Sequence, residues 1–119
     1  MLPPTITSTR DVTSPSLALR VGISARVLSM DSVKPLDGDA VVAAARETRG
    51  IVTVEEGLAF GGLDGAVAEV LTERAPTRLV RLGLPDTFAP TGSDAWILDH
   101  CGMSPEGIAQ TALTLVDRR

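Results

Sequence analysis

The sequence predicts an α/β domain in which helices pack on a mainly parallel sheet. The first observation is the run Ile51-Val52-Thr53-Val54, whose β-branched residues are typical of a strand buried on both faces. The second is that strand-like and helix-like segments alternate along the chain, which favours parallel strands joined by helical crossovers. The third is length, because 119 residues suit one domain with its own core.

Composition narrows the classes of function. The net charge is −4 and basic residues do not cluster, which argues against nucleic-acid binding. No apolar run approaches the roughly 20 residues of a membrane span, and the N-terminus lacks the features of a secretory signal. Cys101 is the only cysteine, so an internal disulfide is excluded and a cytoplasmic location is expected.

The first part of the chain gives weak signals. Residues 1–14 are predicted to be an irregular leader or to contain a weak strand at Thr5–Thr9, and residues 15–119 are predicted to form the domain. Thr13-Ser14-Pro15 resembles a helix start, because a hydroxyl cap precedes a first-position proline. Gly22 would end that short helix. Alternation of apolar with polar or small residues then predicts a strand over 24–30.

The middle of the chain gives clearer signals. A helix is predicted over 38–48, capped by Asp37 or Asp39, with Gly50 as its C-terminal glycine. A buried strand follows over 51–55. The next helix, from Gly62 to about Arg74, has apolar residues at helical spacing and ends before Pro76.

Three elements complete the prediction. A strand over 78–83 has the alternation of one that is exposed on one side or near an edge. After a proline-containing loop, Ser93 or Asp94 is predicted to cap a short helix from Ala95 to Cys101, which Gly102 closes. Ser104-Pro105-Glu106 then opens a last helix that runs to about Val116.

The end of the predicted strand 51–55 is the candidate site, since ligands and partners of open α/β sheets are met at the carboxyl ends of strands. Glu55 and Glu56 point to opposite sides, so they are not a facing acid–base pair. Two interpretations stay open. One carboxylate is solvated while the other bonds nearby backbone, or one of them faces a site shared with another domain.

The glycine segment Gly61–Gly65 lies where an anion-binding loop would sit, between a strand and a helix. It matches neither a dinucleotide fingerprint nor a P-loop, and Asp64 would repel a phosphate, which favours a packing turn.

The remaining candidates point to structural roles. His100 and Cys101 are sequence neighbours on a helix and cannot form a nucleophile–base pair or a standard zinc site. Trp96 is interpreted as an anchor in the core or at an interface. Arg78 and Arg81 are interpreted as a solvated or subunit-facing side of their strand, with anion binding as the alternative. The residues therefore predict no catalytic, cofactor-binding or metal-binding set within this chain.

Five segments together carry a resemblance to a known family. They are Met30–Asp37, Ala44–Thr48, Ile51–Glu56, Gly61–Leu71 and Leu82–Phe88 with Gly92. In this order they closely resemble the C-terminal domain of transketolases, especially the separately encoded C-terminal subunit of split bacterial transketolases, over about residues 22–112.

The resemblance implies a three-layer α/β/α sandwich with a mixed five-stranded sheet. It also implies a transferase that uses thiamine diphosphate and a divalent metal, Mg, to move a two-carbon ketol unit between sugar phosphates. The active site would lie in the other domains, so this domain would support assembly and a dimer without catalysing the reaction alone. Its partners would be the remaining transketolase domains or subunit. The family's diphosphate motif ends in Asn, and this sequence contains no Asn.

Two departures qualify what the resemblance implies. Gly57 stands where the family usually has a histidine after the two glutamates. The first strand and helix are short or degenerate, so the chain is expected to be a fragment or to have a degraded start. The alternatives are the equivalent domain of a deoxyxylulose-phosphate synthase, or a non-enzymatic module that docks on another subunit. The residues predicted to face a partner, with Glu56 and Phe60 foremost, are Glu55, Glu56, Phe60, Gly61 and Gly62.

Overall fold

The structure is a computed structural model that describes residues 25–59, 61–88 and 91–117, together with the backbone of residues 5–8. Its strands are β1 (Thr5–Ser8), β2 (Arg26–Ser29), β3 (Ile51–Leu58) and β4 (Leu79–Leu84). Its helices are α1 (Gly38–Glu47), α2 (Leu63–Arg74), α3 (Asp94–His100) and α4 (Pro105–Asp117). The helix predicted from Pro15 and the predicted contact residue Phe60 lie outside the described residues.

The four described strands form one parallel sheet in the order β2-β1-β3-β4. The weak strand that the sequence allows near the N-terminus is found as β1, and it occupies the centre of the sheet. Ile6 aligns with Val27 of β2 on one side and with Val52 of β3 on the other. β4 pairs with β3 alone among the described strands, which agrees with the prediction of a strand near an edge.

Helices cover both faces of the sheet, which gives the three layers. One apolar cluster joins Ile51 of β3 to α1 and α2 through Val41, Leu63 and Val67. A second cluster lies on the opposite face and joins Val52 and Val54 to α4. Residues Ile51 to Val54 are all buried because successive side chains of a strand enter opposite faces and a helix layer covers each face.

Side-chain caps define where three of the helices begin. Asp37 accepts a hydrogen bond from the Ala40 N–H at 3.1 Å, so Asp37 rather than Asp39 caps α1. Ser93 accepts from the Trp96 N–H at the start of α3. Ser104 accepts from the Gly107 N–H at the start of α4. Each cap satisfies one of the N–H groups that a first helical turn leaves without a partner.

The two glycines predicted to close helices have different roles. Gly102 has a φ of 75°, and the Gly102 and Met103 N–H groups return to the carbonyls of Asp99 and Leu98, which is a Schellman closure of α3. The prediction for Gly50 was wrong, because Thr48 is the C-cap of α1 and the φ of Gly50 is not positive. A Cβ at Gly50 would lie 2.8 Å from Leu115 Cδ2, so a larger residue there would require the Leu115 side chain of α4 to move.

Candidate functional site

β3 is irregular at its carboxyl end, where the two glutamates lie. Val54 aligns with Leu82, but the next aligned pair is Leu58 with Leu84. Three residues of β3 therefore lie opposite the single residue Gly83. A Cβ at Gly83 would lie 2.9 Å from the Gly57 carbonyl oxygen and 3.0 Å from Ala59 Cα, so the two strands come too close for a larger residue. Irregularities of this kind re-aim side chains at the end of a strand.

Glu55 points towards α2 and binds its first turn. Its Oε2 accepts a hydrogen bond from the Leu63 N–H at 2.8 Å. A carboxylate at a helix N-terminus is favoured both by that hydrogen bond and by the helix dipole. Gly62 provides the space, because a Cβ there would lie 2.5 Å from the same oxygen, and Gly61 makes the turn with a φ of 79°.

Asp64 also binds the backbone of this turn. The residue is 2% exposed, and Oδ1 accepts a hydrogen bond from the Gly62 N–H at 3.2 Å. Oδ2 pairs with Arg81 Nη1 of β4 at 3.1 Å. The pair joins α2 to the sheet, and Arg81 retains partial contact with solvent.

Two N–H groups of this turn are therefore satisfied from within the domain. Two carboxylates accept the N–H groups of Gly62 and Leu63 that an external anion would use. Their negative charges would also oppose the approach of a phosphate. The expectation that this glycine segment is a packing turn is confirmed by these contacts, and the charge of Asp64 is neutralised by Arg81.

Glu56 points away from α2. It is exposed and lies at the edge of a cavity between the carboxyl ends of β3 and β4 and helix α3. The opposite directions of the two glutamates agree with the sequence prediction, and Glu55 is the one that bonds nearby backbone. Among the residues predicted to face a partner, Glu56 and Gly61 are exposed, whereas Glu55 and Gly62 are partly buried. Whether they contact a partner stays a prediction.

Helix α3 carries the remaining candidates. Trp96 is 46% exposed, so its interpretation as a core anchor was wrong and the interface alternative remains. Its ring stacks on His100 with 4.9 Å between ring centroids. Cys101 is partly buried against the cluster that includes Met103. Among the described residues, no group of three or more His, Cys, Asp or Glu side chains is arranged to hold a metal ion.

Sequence reasoning missed the ion pair between Asp64 and Arg81. A signal was available, because Leu79 and Arg81 share one face of β4 and that face turns towards α2. An arginine on a face that packs against a helix requires a carboxylate nearby. The sequence alone does not indicate which carboxylate, since Glu55, Asp64 and Glu69 all lie close to that helix.

Comparison with known proteins identifies the family. Residues 15–108 match the family model described as the transketolase C-terminal domain. The chain belongs to this family. The family match covers most of the chain and agrees with the resemblance carried by its five sequence segments.

Relatives within the transketolase group are much longer than this chain. One subunit of an apulose-4-phosphate transketolase from Phocaeicola vulgatus is 46% identical over 98 residues, which are 82% of this chain and 31% of the relative. A 1-deoxy-D-xylulose-5-phosphate synthase from Burkholderia pseudomallei is 41% identical over 99 residues, which are 82% of this chain and 16% of the relative. The chain thus spans less than a third of either protein.

A solved structure has the same fold. It is described as a split gene transketolase, an inactive beta4 tetramer, and it superimposes with a TM-score of 0.77 at 35% identity. The match covers 95% of this chain and 40% of the other. The chain is thus similar to the C-terminal part of a split transketolase in both sequence and fold. None of the described helices is long and apolar enough to cross a membrane.

Proposed function

We propose that this transketolase C-terminal domain supports the assembly of a cytoplasmic, thiamine-diphosphate-dependent transferase and does not catalyse ketol transfer alone. The observation that carries the proposal is the closed turn between β3 and α2. Glu55 and Asp64 occupy its N–H groups, and Arg81 neutralises Asp64 within the domain. In this proposal the contact with the other domains is made by the surface at the carboxyl ends of β3 and β4.

The turn between β3 and α2 does not fit a cofactor diphosphate. The strand–glycine–helix turn at the carboxyl end of β3 is lined by two carboxylates instead of free N–H groups. Thiamine diphosphate and Mg would therefore be held by the remaining transketolase domains. In this proposal the domain joins those domains in a dimer, with Glu56, Gly61 and the neighbouring residues Glu55, Phe60 and Gly62 near the contact.

A hybrid enzyme tests this function. The region of the Phocaeicola vulgatus subunit that matches this chain is replaced by the full 119 residues, which include β1 and all of α4, and the hybrid is combined with the rest of that transketolase. We expect ketol transfer by the hybrid and none when a glycine–serine linker of equal length takes that place. The 119-residue chain alone is expected to bind no thiamine diphosphate in the presence of Mg. Binding or ketol transfer by the isolated chain would overturn the proposal.

A second candidate is the equivalent domain of a deoxyxylulose-phosphate synthase. The 41% identity to the Burkholderia pseudomallei enzyme makes it a candidate without favouring it, because that value is close to the 46% identity with the transketolase subunit. The same replacement in the synthase separates the two candidates. Activity in the transketolase hybrid alone supports the first, and activity in the synthase hybrid alone supports the second. If neither hybrid is active while the chain is folded, the domain is a docking module of another assembly.

A further inference from the structure

Helix α3 is short, and none of its seven residues is fully buried. Its ends are fixed by the Ser93 cap and by the turn at Gly102, and Leu98 packs beside the second core cluster. The same helix carries Trp96, which is 46% exposed. A helix of a folded assembly normally buries its apolar residues, so the indole is the part of α3 that calls for a covering surface.

Two neighbours fix the orientation of the Trp96 ring. The His100 ring stacks on it, with 4.9 Å between the centroids and 11° between the planes. Gly92 also lies against it, because a Cβ at Gly92 would be 2.6 Å from Cε3 of the indole. The ring thus takes the space that a side chain at residue 92 would need. A side chain that is already ordered loses little conformational entropy when a partner covers it, which favours a strong contact.

The large apolar side chains that the described residues expose lie at or after the carboxyl ends of two strands. Leu58 is the last residue of β3, Phe88 is the fourth residue after β4, and Trp96 belongs to the helix that follows. They therefore extend the surface at which the proposed contact with the other domains is made. Aromatic residues exposed in this way are typical of protein–protein contacts.

Two observations favour another polypeptide over a second copy of this chain as the occupant. Residues 82–107 contain no lysine or arginine, and their acidic residues are Asp86, Asp94, Asp99 and Glu106. Two such segments would repel each other across a two-fold contact. The relatives also carry more than two-thirds of their length outside the region that matches this chain, so an enzyme of that kind has the polypeptide to cover α3.

We propose that Trp96 is the anchor by which α3 docks into an apolar pocket of the transketolase polypeptide that completes this domain. The pocket provides a hydrogen-bond acceptor, such as a main-chain carbonyl, for the indole N–H. That N–H has no acceptor among the described residues, and an indole N–H that becomes buried needs one. Gly92 and His100 position the ring. The docking rests on the proposed function and deepens it, because it names the contact residue and the chemistry of the partner.

The full 119-residue chain gives the first measurement, because Trp96 is its only tryptophan. We expect acrylamide to quench the fluorescence of Trp96, and the ring current of the indole to move the Gly92 Hα signals upfield. Trp96→Leu should abolish that upfield shift. An indole that acrylamide does not reach would overturn the proposal, because the chain itself would then cover the ring. Unshifted Gly92 signals would overturn it because the ring would not be held in place. Protection that rises with chain concentration would overturn it in favour of a second copy.

The assembled transketolase hybrid gives the second measurement. We expect hydroxyl-radical oxidation of Trp96 to be about five-fold slower in the hybrid than in the isolated chain, because the exposed fraction of the ring falls from nearly half towards zero. Trp96→Ala should lower the melting temperature of the hybrid more than that of the isolated chain, since the ring is buried only after docking. Asp99→Ala is the matched control, because it truncates another exposed side chain of the same helix, and it should lower neither temperature.

The outcomes separate the docking site from the proposed function. Equal oxidation of Trp96 in the hybrid and in the chain would reject the docking site, and ketol transfer by that hybrid would leave the proposed function intact. Slower oxidation in an assembled hybrid without ketol transfer would support the docking site and reject the proposed function. A hybrid that does not assemble would reject both.

Discussion

Asp64 is the buried residue on which the contact between α2 and β4 depends. Its carboxylate accepts from the Gly62 N–H and pairs with Arg81, which keeps almost half of its side chain in solvent. The loss of stability should therefore depend on which partner of the ion pair is removed. Removing Arg81 leaves a buried negative charge, whereas neutralising Asp64 leaves a guanidinium that water can still reach.

Substitution of Arg81 and of Asp64 tests whether the two losses of stability differ. We expect Arg81→Met to lower the free energy of unfolding by about 2 kcal/mol and Asp64→Asn by about 1 kcal/mol. The asparagine keeps an acceptor for the Gly62 N–H. The double variant should be about as stable as Asp64→Asn alone, because no buried charge remains. Urea unfolding measures all three, and a smaller loss for Arg81→Met than for Asp64→Asn would contradict the account.

Two buried threonines give a second test at the residue scale. Thr53 Oγ1 is buried without a hydrogen-bond partner among the described residues, whereas Thr48 Oγ1 donates to the Ala44 carbonyl at 2.7 Å. We expect Thr53→Val to leave stability unchanged or to raise it by up to about 1 kcal/mol, because valine has the same shape without the hydroxyl. Thr48→Val should cost about 1 kcal/mol. Equal losses in thermal unfolding would show that the Thr53 hydroxyl is satisfied in solution.

At the scale of the elements, α2 and α4 each carry a glycine as their third residue, but the surroundings differ. A Cβ at Gly65 would meet no atom within 4 Å. A Cβ at Gly107 would lie 2.5 Å from the Gly102 carbonyl oxygen, where the chain leaves α3 and enters α4. Only the second glycine is required by packing.

Alanine at the two positions should act in opposite directions. Gly65→Ala is expected to stabilise the domain by about 0.5 kcal/mol, since alanine restricts the unfolded chain and favours a helix. Gly107→Ala is expected to destabilise it by about 2 kcal/mol, because the backbone of Gly102 would have to move. Denaturant midpoints measure both variants, and a stabilising effect of Gly107→Ala would disprove the close contact with Gly102.

The elements that the sequence predicts well are those with local signals. The starts of α1, α3 and α4 follow from Asp37, Ser93 and Ser104, whose side chains cap the turn that comes directly after them. β1 has no such signal, because threonine and serine dominate its four residues and its place comes from pairing with β2 and β3. Gly50 was misinterpreted for the same reason, since the Leu115 side chain that it contacts lies far away in the sequence.

The candidate site was predictable in its location and less so in its contacts. Adjacent residues of a strand point to opposite sides, so the separation of Glu55 from Glu56 could be foreseen. The cavity between β4 and α3 could not, because Glu56, Asp94 and Met103 line it together although they lie far apart in the sequence. The ion pair between Arg81 and Asp64 depends equally on the pairing of β4 with β3.

At the scale of the whole molecule, β1 is the strand that makes the sheet continuous. Among the described strands, β2 is joined to the others only through β1. A four-residue strand is short, but both of its sides are paired. Loss of its hydrogen bonds would therefore separate β2 from the rest of the sheet.

Proline at the centre of β1 tests this dependence. We expect Ile6→Pro to lower the free energy of unfolding by more than about 2 kcal/mol, because the Ile6 N–H faces a neighbouring strand whichever way it points. Ile6→Val keeps the N–H and serves as the control. Amide hydrogen exchange should also show protection at residues 5–8 comparable with that of β3. Rapid exchange there in the wild-type chain would argue against a central β1.

Because β1 pairs with a strand that is synthesised much later, the sheet cannot be completed early during synthesis on the ribosome. β1 precedes both of its neighbours in the chain, and its second neighbour, β3, is complete only at Leu58. At about 5–20 residues per second, roughly 3–10 s pass between the two. During that time one side of β1 offers unpaired N–H and C=O groups to other chains. Stalled nascent chains that end before β3 should therefore remain sensitive to protease, and chaperones that shield extended segments would act in this interval.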